Sequence, residues 1–194
     1  MTKITSPKTA GLLGILGPIL AFLFIATSIF LHPWFDLADN ALSDLGALGT
    51  SHNLLFNLGL IFAGVAGLIF TLGLPKIVKG KMGIAGAAVF GAGMLFEILI
   101  GVFPSGTSPH RLVSMGFYTL CTLGMVIVGV DQFRDRSGRI WGAFTLSVVG
   151  LSLVAVVLTT TIPYNLGAAI PEIIGAIAIS EFSIVFGAKL LDFL

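Results

Sequence analysis

Three histidines, His32, His52 and His110, stand at the ends of long apolar stretches, all on the side that also carries Asp36, Asp39, Asp44 and Glu172. Imidazole and carboxylate groups hold metal ions and move protons, so this side is where chemistry is expected. Three imidazoles meeting a carboxylate would bind a metal ion, zinc above all. A catalytic zinc takes three protein ligands and leaves a position for a water whose lowered pKa makes it a nucleophile. Asp36, Asp44, Glu97 or Glu172 would then serve as the base or orient a ligand from behind. The ligands come from separate segments with no HExxH spacing, and a structural polar cluster accounts for the same residues. Haem would need two imidazoles facing each other inside a helix bundle, and neither His32 nor His110 lies deep in a segment, which disfavours it.

Spacing adds further groups. His110, Ser114 and Tyr118 recur every four residues, which puts imidazole, hydroxyl and phenol on one helical stripe; Ser28 with His32, and Asn53 with Asn57 just after His52, repeat the pattern. Glu97 shares a face with Gly93 and Gly101, a face that can approach a neighbour closely. Glu172 and Glu181 are roughly half a rotation apart at 3.6 residues per turn, so only Glu172 can join the cluster of histidines and acids.

The elements that must position these groups are membrane helices. Of 194 residues, 56% are hydrophobic and 10% charged, with a mean hydropathy of +1.07. Too little polar surface exists for a water-soluble domain. A net charge of +1 gives no basic stripe for nucleic acid. The single cysteine, Cys121, offers neither a disulfide nor a CxxC site and reads as a small core residue.

Hydrocarbon about 30 Å thick needs roughly 20 apolar residues per helix. Six segments qualify, at about Ala10–Leu31, Leu54–Leu74, Gly83–Phe103, Leu112–Val130, Ile140–Ile162 and Ala168–Leu190. The first lacks a small-residue cleavage pattern and reads as a retained helix. Of the ten Lys and Arg residues, only Arg111 falls on the histidine side. Basic residues stay cytoplasmic, so both termini are expected in the cytoplasm of a cell-membrane protein and the histidine face outside. With no long linker, residues 1–194 read as one domain, an all-α bundle of six transmembrane helices.

Glycine-rich faces, with Gly11, Gly14 and Gly17 in the first helix and Gly86, Gly91 and Gly93 in the third, suit close packing within the bundle or a homo-oligomer. Each odd-numbered helix leaves the membrane at a proline, as His32-Pro33, Phe103-Pro104 and Ile162-Pro163, followed by His52, His110 or Glu172 near the start of the next. This reads as three similar hairpins, or simply as helices that end at proline. The loop from Pro33 to Ser51 alternates Trp34, Phe35, Leu37, Ala41, Leu42 and Leu45 with Asp36, Asp39, Asn40, Ser43 and Asp44. Such helical amphipathicity would lie flat on the outer leaflet with Trp34 as anchor, or fold over the bundle as a lid.

The segments His32-Pro33-Trp34-Phe35-Asp36, Asn40-Ala41-Leu42-Ser43-Asp44-Leu45-Gly46 and His52-Asn53-Leu54-Leu55-Phe56-Asn57, followed by Phe103-Pro104 and His110, resemble the domain of unknown function 998 family of small multi-pass membrane proteins. The resemblance spans nearly the whole chain and implies a six-helix bundle with no established activity. The Leu42-Ser43-Asp44-Leu45-Gly46 segment is also similar to an Ile-Ser-Asp-x-Gly motif of the Frag1/DRAM/Sfk1 superfamily. Some members of that superfamily are implicated in lipid-anchor remodelling, which implies a lipid-directed enzyme.

Two functional classes follow. One is a membrane-embedded, metal-assisted or metal-free hydrolase or transferase acting on lipid at the outer face, with Ser43, Asp44 and Glu97 as catalytic candidates, His32, His52 and His110 as metal ligands, and Asp36, Glu172 and Tyr118 in support. The other is a carrier or binding module for a small solute or proton, motivated by Glu97 and Glu181 within the membrane. A scaffold that binds partner helices through its glycine faces accounts for the composition as well.

Overall fold

The computed structural model describes residues 6–161 and 167–192. Six helices follow one another: α1 Pro7–Leu31, α2 Asn53–Gly73, α3 Lys81–Val102, α4 His110–Arg134, α5 Arg139–Thr161 and α6 Ala169–Leu191. All six are long and apolar enough to cross a membrane, which makes this a multi-pass membrane protein. They begin or end within a few residues of the expected spans. The largest difference is at α4, which continues to Arg134 because a helix persists after its charged residues have left the hydrocarbon.

Local signals set the ends. Ser6 caps α1, its hydroxyl accepting from the Thr9 N–H at 3.0 Å, with Pro7 next in line where a missing N–H costs nothing. The α1 and α3 exits share one geometry. His32 (φ −122°, ψ 81°) and Phe103 (φ −114°, ψ 76°) both leave the helical region, as the residue before proline must when the ring of Pro33 or Pro104 crowds it. The third exit, Ile162-Pro163, and the basic residue Lys3 lie outside the described residues.

Each helix packs on the next, and α6 returns against α1 to close the set. Glycine permits the closest crossings. A Cβ on Gly11 would stand 2.7 Å from the Gly187 carbonyl oxygen, and one on Gly124 would stand 2.6 Å from the Phe90 nitrogen. The glycine faces of α1 and α3 are thus used inside the bundle. Helix α5 joins only through its first half, where Gly142, Thr145 and Val149 are buried, while Leu151, Leu153, Val154, Val157 and Leu158 face outward.

Lys76, Lys79, Lys81, Arg134, Arg136 and Arg139 gather at one end of the bundle, with Lys8 and Lys189, and the histidines at the other; these are called the basic end and the cap end. Phe70, Phe90, Phe182 and Phe186 form a fully buried plug toward the basic end, with ring centroids 4.9 Å apart for Phe90 and Phe182 and 4.6 Å for Phe182 and Phe186. Lipid is as apolar as these rings, so burial by itself drives little here. Close packing and ring geometry hold the plug, with about 0.5–1.5 kcal/mol per aromatic pair.

At the cap end, the loop between α1 and α2 folds over the bundle. Only Leu42–Gly46 is helical, as a short 3-10 turn. Leu42 and Leu45 are buried against Ile25, Phe56 and Ala169, so the apolar half of the loop's alternation points down into protein. The Ala169 N–H donates to the Asn40 carbonyl (2.9 Å), Gly167 donates to Ala38, and Leu48 donates to Ser105 (3.1 Å), which ties the loop to the α5–α6 and α3–α4 connections. The amide of Asn57 on α2, buried, donates to the Gly46 carbonyl at 3.0 Å. The loop is a lid. Trp34 at its edge remains half exposed.

Candidate functional site

Beneath the lid lies a cavity of about 870 Å³, the part open to its surroundings included, walled by α1, α2, α3, α4 and α6. Its polar lining comes from few residues: Ser43 in the roof, Glu97 on α3, Ser114 and Tyr118 on α4, and Glu172, Ser180 and Ser183 on α6. Counting about 1.5 Å of rise per residue from the cap end of each helix, Glu172 stands roughly 5 Å down, Ser114 roughly 6 Å and Glu97 roughly 8 Å. Glu172, Ser114 and Glu97 therefore share one level near the lid, with Tyr118, Ser180 and Ser183 deeper along the wall. Below them the walls are mostly apolar, with Phe22, Leu60, Ala63, Met94 and Ile179, and they lead toward the aromatic plug. The cavity is thus more polar near the lid and mostly apolar below, the distribution an amphiphilic ligand would need.

Glu172 holds the roof in place. Its carboxylate accepts from the N–H of Leu42 at 2.7 Å and from the N–H of Ser43. Tyr118 donates its hydroxyl to the Glu172 carbonyl oxygen at 3.2 Å, which fixes the start of α6 against α4. Glu97 differs. It is nine-tenths buried and lines the cavity, yet no hydrogen bond or opposite charge from the described residues answers it. Gly93 and Gly101 flank it on α3, one pressed on Cys121 of α4 and the other on the Asn57 carbonyl of α2, so the backbone is clamped on both sides of the carboxyl.

The histidines separate into three environments. His32 is buried, with Nδ1 2.6 Å from the Ser28 carbonyl oxygen and Nε2 2.6 Å from that of Ser51. A carbonyl accepts only, so this ring braces the turn from α1 into the lid and aims no lone pair at a ligand. His52 is exposed, in the left-handed region at φ 55°, and its ring centroid is 6.3 Å from that of His32. His110 is half-buried at the start of α4, and its Nδ1 faces the Phe103 carbonyl oxygen at 2.9 Å.

The structure thus brings His32 and His52 side by side and leaves His110 with its own partners. Among the described residues, no group of three His, Cys, Asp or Glu side chains is arranged to hold a metal ion. Of the other expected residues, Ser43, Glu97, Tyr118 and Glu172 meet around the cavity. Asp44 instead braces the lid, accepting from the Ala41 N–H at 2.9 Å, and exposed Asp36 closes a surface turn by accepting from Ala38 at 2.7 Å. Glu181 faces outward on an apolar groove between α1 and α6, which shares Pro18, Phe22 and Ser180 with the cavity wall.

One pairing completes the site. With the Nδ1–H of His110 donating to Phe103, its Nε2 carries the lone pair, and the Ser114 hydroxyl lies 3.5 Å from it. Ser114 opens onto the cavity. A hydroxyl beside a ring nitrogen whose other nitrogen is held by an acceptor is the arrangement of an activated serine nucleophile, and such pairs are often long before substrate binds. The four-residue stripe was the sequence signal for this pair. The three-histidine metal expectation gives Ser114 no role, whereas the stripe of His110, Ser114 and Tyr118 places it beside the ring.

A family model described as "Protein of unknown function (DUF998)" matches residues 15–189. No curated protein and no solved structure matches the chain.

Proposed function

The chain belongs to the DUF998 family, and we propose that it is a membrane-embedded hydrolase or transferase that draws a lipid into the cavity and attacks an ester or amide carbonyl with Ser114. The observation that carries this reading is the contact of the Ser114 hydroxyl with Nε2 of His110, on the wall of a cavity more polar near the lid and mostly apolar below. In the reaction Ser114 Oγ bonds to the carbonyl carbon while its proton passes to His110 Nε2. The leaving alcohol or amine departs with that proton, and water or an acceptor alcohol then releases the acyl group from Ser114. The Phe103 carbonyl keeps the imidazole in the tautomer that can accept. The lid limits bulk water at the level of the reacting groups.

The cap end faces away from the cytoplasm of the cell membrane in this reading. The charge asymmetry supports it, since Arg111 alone of the Lys and Arg residues lies at the cap end.

A fluorophosphonate probe applied to the protein in lipid nanodiscs tests the proposal. Labelling that maps to the Ser114 peptide, disappears in Ser114→Ala and falls at least about tenfold in His110→Ala is expected. Absence of labelling in folded protein, or labelling indifferent to His110, refutes the nucleophile. A carrier that binds without turnover is the second reading, favoured by the unanswered Glu97 carboxyl. Proteoliposome flux that stops in Glu97→Gln and persists in Ser114→Ala would select it.

A further inference from the structure

The cavity's charge is one-sided. Among the described residues, two carboxyls, Glu97 and Glu172, line it, and no Lys, Arg or His does; His110 meets it only through Ser114. Glu172 is engaged with the lid N–H groups, which leaves Glu97 as the carboxyl that no described residue answers. A buried polar group without a partner costs free energy, and at bilayer depth such residues mark the path or seat of a ligand. The groups near its level agree with a ligand that donates: the Ser114 hydroxyl and the phenol of Tyr118 are neutral, and among the described residues no cation lines the cavity to compete for the carboxyl.

Resting on the cavity's reading as an amphiphile site, we infer that the ligand carries an ammonium group, seated on Glu97 at the level of Ser114, with its hydrocarbon chain along the mostly apolar walls below. The class is a long-chain amine or an amine-bearing lipid. An alcohol of the same chain would donate one hydrogen bond to Glu97 without an opposing charge, and an anionic lipid would be repelled. Charge-assisted hydrogen bonds are worth about 1.5–3 kcal/mol, which corresponds to roughly tenfold or more in affinity.

The test is photo-crosslinking in nanodiscs with a diazirine-bearing long-chain alkylamine, competed by the unlabelled amine and by the alcohol and carboxylic acid of equal chain length. The amine is expected to compete at least about tenfold better than the alcohol, and crosslinks should fall on cavity residues such as Leu60 or Ile179. Glu97→Gln, nearly equal in shape, should bring amine and alcohol within about threefold of each other, while Glu97→Asp retains part of the preference. Competition by phosphatidylethanolamine but not phosphatidylcholine identifies a membrane lipid as the source of the amine; competition by the single-chain amine alone identifies a free amphiphile. Equal competition by amine and alcohol in the native protein, or a preference that survives Glu97→Gln, overturns the inference. Fluorophosphonate labelling and amine selectivity are both measured on the native protein, so failure of the Ser114 nucleophile and failure of the Glu97 amine seat are separate results.

Discussion

The N–H of Leu42 in the lid donates to the Glu172 carboxylate at 2.7 Å, joining positions separated by 130 residues of chain. This bond fixes the roof of the cavity to the helix that forms its wall. Removing the carboxylate strands the Leu42 and Ser43 N–H groups against apolar neighbours. Glu172→Ala is therefore expected to lower unfolding free energy by about 1–3 kcal/mol. Hydrogen exchange should rise most at Leu42–Gly46. Exchange unchanged there would show that the lid is held by its apolar contacts and its other hydrogen bonds, not by Glu172.

His32 and His52 should respond unequally to alanine. His32 is buried against the carbonyl oxygens of Ser28 and Ser51, and its loss removes the hydrogen bond the ring donates there and opens a hole, at a cost of about 2–4 kcal/mol. His52 is exposed with a left-handed backbone that glycine adopts freely, so His52→Gly should stay within about 0.5 kcal/mol of native or stabilise slightly. Thermal denaturation of the two variants in detergent measures the difference. A metal held jointly by both rings would make the losses similar.

Two glycines make a matched pair. A Cβ at Gly124 would come within 2.6 Å of the Phe90 nitrogen, so Gly124→Ala must push α3 and α4 apart and should cost at least about 2 kcal/mol. At Gly150, on the outward half of α5, a Cβ meets nothing within 4 Å, and Gly150→Ala should gain about 0.5–1 kcal/mol from helix propensity. Equal melting temperatures for the two variants would contradict the packing described for α3 and α4.

At the basic end, Asp135 accepts from the Ser137 hydroxyl at 2.7 Å and from its N–H at 3.2 Å, and these bonds hold its carboxyl below the usual carboxylate range. Folding lowers the pKa, so the small stabilisation is present above the ordinary carboxylate value and is lost as pH falls through the lowered one. Ser137→Ala should raise the Asp135 titration midpoint toward normal, read by NMR of the side-chain carboxyl carbon. A midpoint that does not move would place the cause elsewhere.

The sequence by itself determined the membrane helices and their ends. Spans of apolar residues have few alternatives in lipid, where every backbone group must be satisfied inside a helix, and prolines after His32 and Phe103 mark the exits unambiguously. It also set Ser43, Glu97, Tyr118 and Glu172 apart as polar groups needing an explanation. Which of these meet was decided only by tertiary structure. Four-residue spacing reports one face of one helix, and it gave the His110–Ser114 pair. It carries no information about rotation of that helix against its neighbours, so three histidines on one side of the membrane became a brace, an exposed turn residue and a serine's partner. The lid stood as one of two alternatives, because alternation in the 33–51 segment fits any apolar surface, lipid or protein. Its seat on α6 comes from hydrogen bonds to Glu172, Gly167 and Ala169, groups brought beside it only when the last helix returns against the first.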